Sequence, residues 1–174
     1  VPWISGASTG QRSCSLVELV DIFPTLADLA NLPLPTGDEL PLDGFTLRPV
    51  LEDPAAGRVR EQALSVFPRC IHPGMPVYGA RGVGEDNTCL DVERTSFTWM
   101  GYSMRTATHR YTEWLRWNGS SLSPNVGHDG IPLEPDAVEL YSHDDDGIAW
   151  VDPNPEAINL VGSADLSLLK QMRA

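Results

Sequence analysis

The segment from Thr95 to Trp117, TSFTWMGYSMRTATHRYTEWLRW, constrains the fold more than any other stretch of this chain. Its first half, Thr95 to Thr106, is rich in aromatic and β-branched residues, and Arg110 to Trp117 alternates with a period of two. Ala107-Thr108-His109 between them reads as a turn, so the segment predicts a β-hairpin. On its second strand Tyr111, Glu113, Leu115 and Trp117 would share one face and Arg110, Thr112, Trp114 and Arg116 the other, because successive side chains point to opposite sides. Two uses fit so much arginine and aromatic surface. A sheet packed on helices would pair its arginines with carboxylates. Alternatively, guanidinium forks and aromatic faces suit sulfate or sugar as ligands.

Helical spacing marks two other places. Ser13 to Ala30, SCSLVELVDIFPTLADLA, has apolar residues at 16, 19, 20, 23, 26, 29 and 30. Pro24 suits a first turn, where backbone N–H groups lack helical partners. The spacing therefore predicts a short lead over Leu16 to Val20 and a helix from Ile22 to Ala30, with Asp21 as N-cap. Ser163 to Met172 predicts a C-terminal helix with Leu166, Leu169 and Met172 on one side. Further expectations are a helical turn at Leu47 to Leu51, a strand over Ala63 to Phe67 closed by Pro68, and a short strand over Val138 to Tyr141. Fifteen Gly and fifteen Pro break the rest into loops, including 31 to 44 and the irregular stretch 68 to 95. Val1-Pro-Trp-Ile reads as the end of a buried strand, with neither the basic region nor the apolar run of a signal peptide. On this reading the chain begins inside a fold and is a fragment.

Charge narrows the partners. The chain has 12 Lys plus Arg against 24 Asp plus Glu, a formal charge of -12. A field of that sign repels nucleic acid and anionic polysaccharide at long range. Lys170 is the single lysine, so nearly every cation is an arginine suited to bidentate pairing. No apolar run is long enough to span a membrane. Cys14, Cys70 and Cys89 lack the paired spacing of a zinc ribbon; Cys14 reads as a small apolar residue beside a core segment. A Cys70–Cys89 disulfide would usefully close a Gly/Pro-rich loop. His72, His109, His128 and His143 fall in separate loops without metal-ligand spacing, and Asp144-Asp145-Asp146 reads as a solvated turn rather than a calcium loop. Asn118-Gly119-Ser120 is an N-glycosylation acceptor sequence. No phosphate-binding, dinucleotide-binding or serine-nucleophile motif is present.

Several runs, in order along the chain, resemble the C-terminal portion of the sulfatases, members of the alkaline-phosphatase-like superfamily. They are Ser15 to Ala30 (SLVELVDIFPTLADLA), Asp43 to Leu51 (DGFTLRPVL), Met100 to Thr106 (MGYSMRT), Arg110 to Trp114 (RYTEW), Glu139 to Asp144 (ELYSHD) and Asp152 to Leu160 (DPNPEAINL). The hairpin and the ELYSHD run are similar to the C-terminal sheet of the iduronate-2-sulfatase branch.

The resemblance implies the C-terminal part of a sulfatase α/β fold, α+β within this chain, with a small antiparallel sheet packed on a C-terminal helix. Residues 1–60 would end the large α/β domain and residues 61–174 would form the small C-terminal subdomain. The implied activity is hydrolysis of sulfate esters, here the 2-O-sulfate of iduronate in dermatan and heparan sulfates. Sulfated glycosaminoglycan and the N-terminal catalytic portion of the same protein are the implied partners. The family's nucleophile is a formylglycine made from cysteine in C-x-P/A-x-R, acting beside calcium. None of the three cysteines stands in that motif, so no catalytic or metal-binding residue is assigned, and calcium and formylglycine are expected in the N-terminal portion. Arg69 and His72 are candidate contacts at the rim of the substrate pocket. Localisation would be lysosomal or secreted in a eukaryote, periplasmic or extracellular in a bacterium. The competing readings are a choline- or aryl-sulfatase and a non-catalytic carbohydrate-binding module.

Overall fold

The computed structural model describes residues 10–35, 42–55, 57–69, 93–143 and 156–173. The expected Val1–Ile4 strand, Cys70, His72, Cys89 and Asp144 to Asp146 lie outside the described residues. Two compact units emerge, one from the described parts of Val1–Leu64, Arg105–His109 and Ser142–Pro155. The other comes from Ser65–Met104, Arg110–Tyr141 and Glu156–Ala174.

The first unit is organised around helix α1 (Ile22–Leu29), which follows a single 3-10 turn over Leu19–Asp21. Pro24 sits in the first helical turn, where it needs no N–H partner. A second short helix, α2 (Arg48–Glu52), carries Pro49 at its second position for the same reason. The face α1 turns inward is unusual: Pro24, Thr25 and Ala27 are buried. Its apolar positions Ile22, Phe23 and Leu26 are exposed, and with Leu19 they follow the i, i+3, i+4, i+7 spacing of one continuous stripe.

The expected hairpin forms with two differences: Thr95 and Ser96 lie in a 3-10 turn before the first strand, and His109 opens the second strand rather than belonging to the turn. Strand β1 (Gln62–Arg69) is followed by β2 (Trp99–Thr106), β3 (His109–Asn118), β4 (Ser123–Pro124) and β5 (Ala137–Ser142). The sheet order is β1-β2-β3-β4, and β5 also pairs with β3. β4 runs antiparallel to β3, with Trp117 opposite Pro124 and Asn118 opposite Ser123. Pro68 does not end β1, which continues to Arg69. A strand at the end of the sheet order tolerates the missing N–H.

Helix α3 (Leu166–Arg173) closes the core. Tyr111, Leu140 and Met172 are its buried centre, with Met104, Val138, Leu160, Leu168 and Leu169 packed around them. Leu166 does not belong to this face; it is 72% exposed, and Leu168 with Leu169 and Met172 makes the apolar contact instead. The closing Asn159-Leu160 pair attaches to β5. Leu140 N–H donates to Asn159 Oδ1 at 3.0 Å, Asn159 Nδ2 donates to the Val138 carbonyl at 3.1 Å, and Leu160 N–H donates to the Leu140 carbonyl at 2.7 Å. No helix among the described residues is long and apolar enough to cross a membrane.

Candidate functional site

Two polar constellations stand out, one in each unit. The first centres on Asp21. It stands at the expected N-cap position of α1, but its backbone is helical and its side chain caps no α1 N–H. The carboxylate is fully buried and gripped by Arg60, whose Nε donates to Oδ2 at 2.8 Å and Nη2 to Oδ1 at 2.5 Å. Such a fork satisfies both oxygens with charge-assisted bonds. The backbone N–H groups of Phe45 and Glu18 add bonds of 2.8 Å each. Arg60 further donates to the Asp43 carbonyl, lies 3.3 Å from the Glu18 carboxylate and sits over the Phe45 ring. The Arg60 hydrogen bonds outweigh burial and hold the Asp21 carboxyl down at about 2. Asp21 in turn raises the Arg60 guanidinium above its ordinary range.

The polar seam continues along α1. Thr25 Oγ1 donates to the Asp21 carbonyl at 2.6 Å and accepts from Leu47 N–H at 2.8 Å. Thr46 Oγ1 donates to Asp28 Oδ2 at 2.7 Å, and Arg48 pairs with Asp28 at 3.0 Å. Gly44 lies so close to the 3-10 turn before α1 that a Cβ there would fall 2.1 Å from the Val20 carbonyl oxygen. Two separate runs that resemble sulfatases, Ser15–Ala30 and Asp43–Leu51, therefore meet through this seam.

The second constellation lies on the sheet face opposite the core. Arg116 Nε donates to Asp136 Oδ2 at 2.7 Å, and its guanidinium lies 4.4 Å from the Trp99 ring centroid. Trp114 Nε1 donates to Glu139 Oε1 at 3.0 Å, and Tyr141 donates to Oε2 of the same carboxylate at 3.2 Å. Thr112 reaches Ser103 across the hairpin at 2.9 Å, and Arg110 pairs with Glu156 at 2.7 Å. Gly101 has to be glycine because the Trp114 ring crosses it: a Cβ would meet Cζ3 at 2.7 Å. On the core face Tyr111 donates to Glu113 Oε2 at 3.2 Å. Burial first, then the Glu113 charge, push its phenol up to about 12.

Of the residues singled out from sequence, Arg69 ends β1, is exposed, and places its guanidinium 5.5 Å from the Trp114 ring centroid. Asn118 ends β3 and is exposed. Cys14 is a free thiol and is exposed, not beside a core segment as expected. Arg110 and Arg116 are committed to carboxylates, which is the ordinary-sheet use of the hairpin. Arg60 and Asp21 as a pair escaped the sequence reading. The available signal was an acidic side chain set among Leu19, Val20, Ile22 and Phe23, which calls for a cation.

No family model matches the chain. It is 33% identical over 152 residues, 79% of its length, to human iduronate 2-sulfatase. Mouse iduronate 2-sulfatase is 32% identical over the same number of residues. The chain is a sulfatase homologue. It spans 24% of the length of these two relatives, in their C-terminal portion. A crystal structure from Bacteroides thetaiotaomicron with a provisional sulfatase name overlays with a TM-score of 0.48 at 19% identity, covering 88% of this chain and 22% of that one. Within this sulfatase homologue, no group of three or more His, Cys, Asp or Glu among the described residues is arranged to hold a metal ion.

Proposed function

We propose that this chain is the C-terminal part of a sulfuric ester hydrolase that removes the 2-O-sulfate of iduronate from dermatan and heparan sulfates. The observation that carries the reading is the 33% identity to human iduronate 2-sulfatase over 79% of the chain. The chemistry belongs to the rest of the protein. The described residues do not fit a calcium ion, and Cys14 is followed by Ser-Leu-Val-Glu rather than a formylglycine motif, so no catalytic step is assigned to them.

The role of the chain is to complete the large domain and to add a small one. Residues 1–60 belong to the large α/β domain and residues 61–174 to the C-terminal subdomain. In support, the Leu19, Ile22, Phe23 and Leu26 stripe has the size and spacing of a helix face that another layer covers. The N-terminal catalytic portion is the partner that covers it. Arg69 and His72 contact sulfated substrate at the pocket rim; the exposure of Arg69 is compatible with that use. The full-length protein works in a lysosomal or extracellular compartment, periplasmic in a bacterium, with Cys70 bonded to Cys89.

Sulfate release from a disaccharide bearing iduronate 2-O-sulfate tests the reading. The full-length protein is expected to release it, and residues 1–174 alone to release none. Turnover of aryl or choline sulfate in place of the iduronate ester would sink the substrate assignment. Turnover by the isolated chain would sink the division of roles.

A further inference from the structure

In the Asn118-Gly119-Ser120 triplet the middle glycine is buried against the Arg94–Thr95 backbone, while its neighbours face outward. Asn118 is the last residue of β3, and both Asn118 and Ser120 are exposed. The Asn118 Oδ1 accepts the backbone N–H of Ser120 at 3.0 Å and of Ser121 at 3.2 Å. Both partners are donors, so the amide orientation is fixed by chemistry: the oxygen is committed to the turn and the nitrogen is the amide's other end. Among the described residues, Nδ2 donates to no other group. The following loop holds four exposed large apolar side chains, Leu122, Val126, Ile131 and Leu133. Where exposed apolar side chains are contiguous they invite contact with another molecule.

We propose that Asn118 is an N-glycosylation site and carries its oligosaccharide on Nδ2. The middle residue is glycine, not proline, as the acceptor sequence requires. In the transfer, Nδ2 bonds to C1 of the first sugar. The C1–O bond to a lipid-linked diphosphate donor breaks, the diphosphate leaves with the electron pair, and one amide proton passes to a base of the transferase. The glycan is bulky and solubilising. Rooted at the end of β3, it would stand beside the apolar loop and keep it from a second molecule. This needs a compartment that supplies the donor and does not rest on the sulfate-ester chemistry.

The test is peptide mapping of the full-length protein expressed through a eukaryotic secretory pathway. Trypsin cleavage after Arg116 puts Asn118 on a peptide starting at Trp117. That peptide is expected to carry a hexosamine-containing mass, and enzymatic deglycosylation in heavy-oxygen water should convert Asn118 to labelled aspartate. Ser120→Ala keeps the backbone N–H that holds the turn and should lose the glycan, whereas Ser120→Thr should retain it. An unmodified Trp117 peptide from secreted wild-type protein overturns the proposal. So does a glycan that survives Ser120→Ala. Sulfate release, measured on the same preparations, reports separately on the enzymatic reading.

Discussion

The two units solve the burial problem in opposite ways. The second buries Tyr111, Leu140 and Met172 and leaves the Arg110–Glu156 and Arg116–Asp136 pairs on a partly exposed sheet face. The first buries a carboxylate completely and exposes the apolar stripe of its helix. Hydrophobic burial is non-directional and grows with area, so the sheet with α3 makes a core from its own residues. Around Asp21 the geometry comes from directional charge-assisted bonds, and those are net favourable only while every partner is present. A helix that turns its polar side toward its own chain has its hydrophobic contribution still to make. At about 1.5–3 kcal/mol for each large apolar side chain, four such residues represent a large fraction of an ordinary domain's stability.

Three substitutions or titrations would break or sharpen this contrast. The largest effect is expected from Arg60→Ala, which strands the Asp21 charge in a buried site and should cost about 3–5 kcal/mol, confined to the first unit. Native-state amide exchange reads this directly: Phe45 and Glu18 N–H should exchange faster while Leu140 N–H does not. Equal acceleration in both units would show that they are not separately held. Next, Leu140→Ala should cost about 3 kcal/mol, because a fully buried leucine leaves a cavity among closely packed neighbours. Here exchange should accelerate at Leu140 and Leu160 and leave Phe45 unchanged; the reverse pattern would place the core elsewhere.

The third effect is a pH dependence. Asp21 titrates at about 2 rather than at its ordinary 3.8. A depressed folded-state pKa contributes stability that is complete above the unfolded value and lost as pH falls through the folded one. The first unit should therefore loosen between about pH 4 and 2, by about 2 kcal/mol for a shift of this size. Asp21→Asn should be weaker at neutral pH and flat across that window. An unchanged acid slope in Asp21→Asn would assign the loss to other carboxylates.

Much of the local structure was legible because it follows from short-range rules. The period of two in Arg110–Trp117 fixed which side chains reach the core, and Tyr111 is there while Arg110, Thr112, Trp114 and Arg116 line the other face. Pro24 placed the start of α1 correctly at Ile22. What failed depends on contacts far apart in sequence. Asp21 has the position of an N-cap, yet a guanidinium from residue 60 and an N–H from residue 45 compete for its oxygens and win. Leu166 fits the helical stripe of α3, but it stands at the helix's first position, outside the reach of the core. Pro68 signals a strand end only if the strand needs that N–H for a ladder, and at the end of the sheet order it does not. For the candidate site, the arginine-rich face was visible as a strip, but its carboxylate partners Asp136, Glu139 and Glu156 arrive from later segments that no periodicity connects to it.

The grip of Arg60 on Asp21 also bears on the order in which the chain can organise. The two residues are separated by 39 positions, whereas β2 and β3 meet across a turn of two residues. Each doubling of a flexible loop adds about 0.6 kcal/mol to the entropic cost of closing it, which puts the longer closure about 2.6 kcal/mol behind the hairpin before any bond is made. Nearby pairings form within microseconds and do not wait for distant ones. The hairpin is thus the natural early scaffold of the chain. The clasp at Asp21 comes late, after residues 43 to 60 have been brought back to α1.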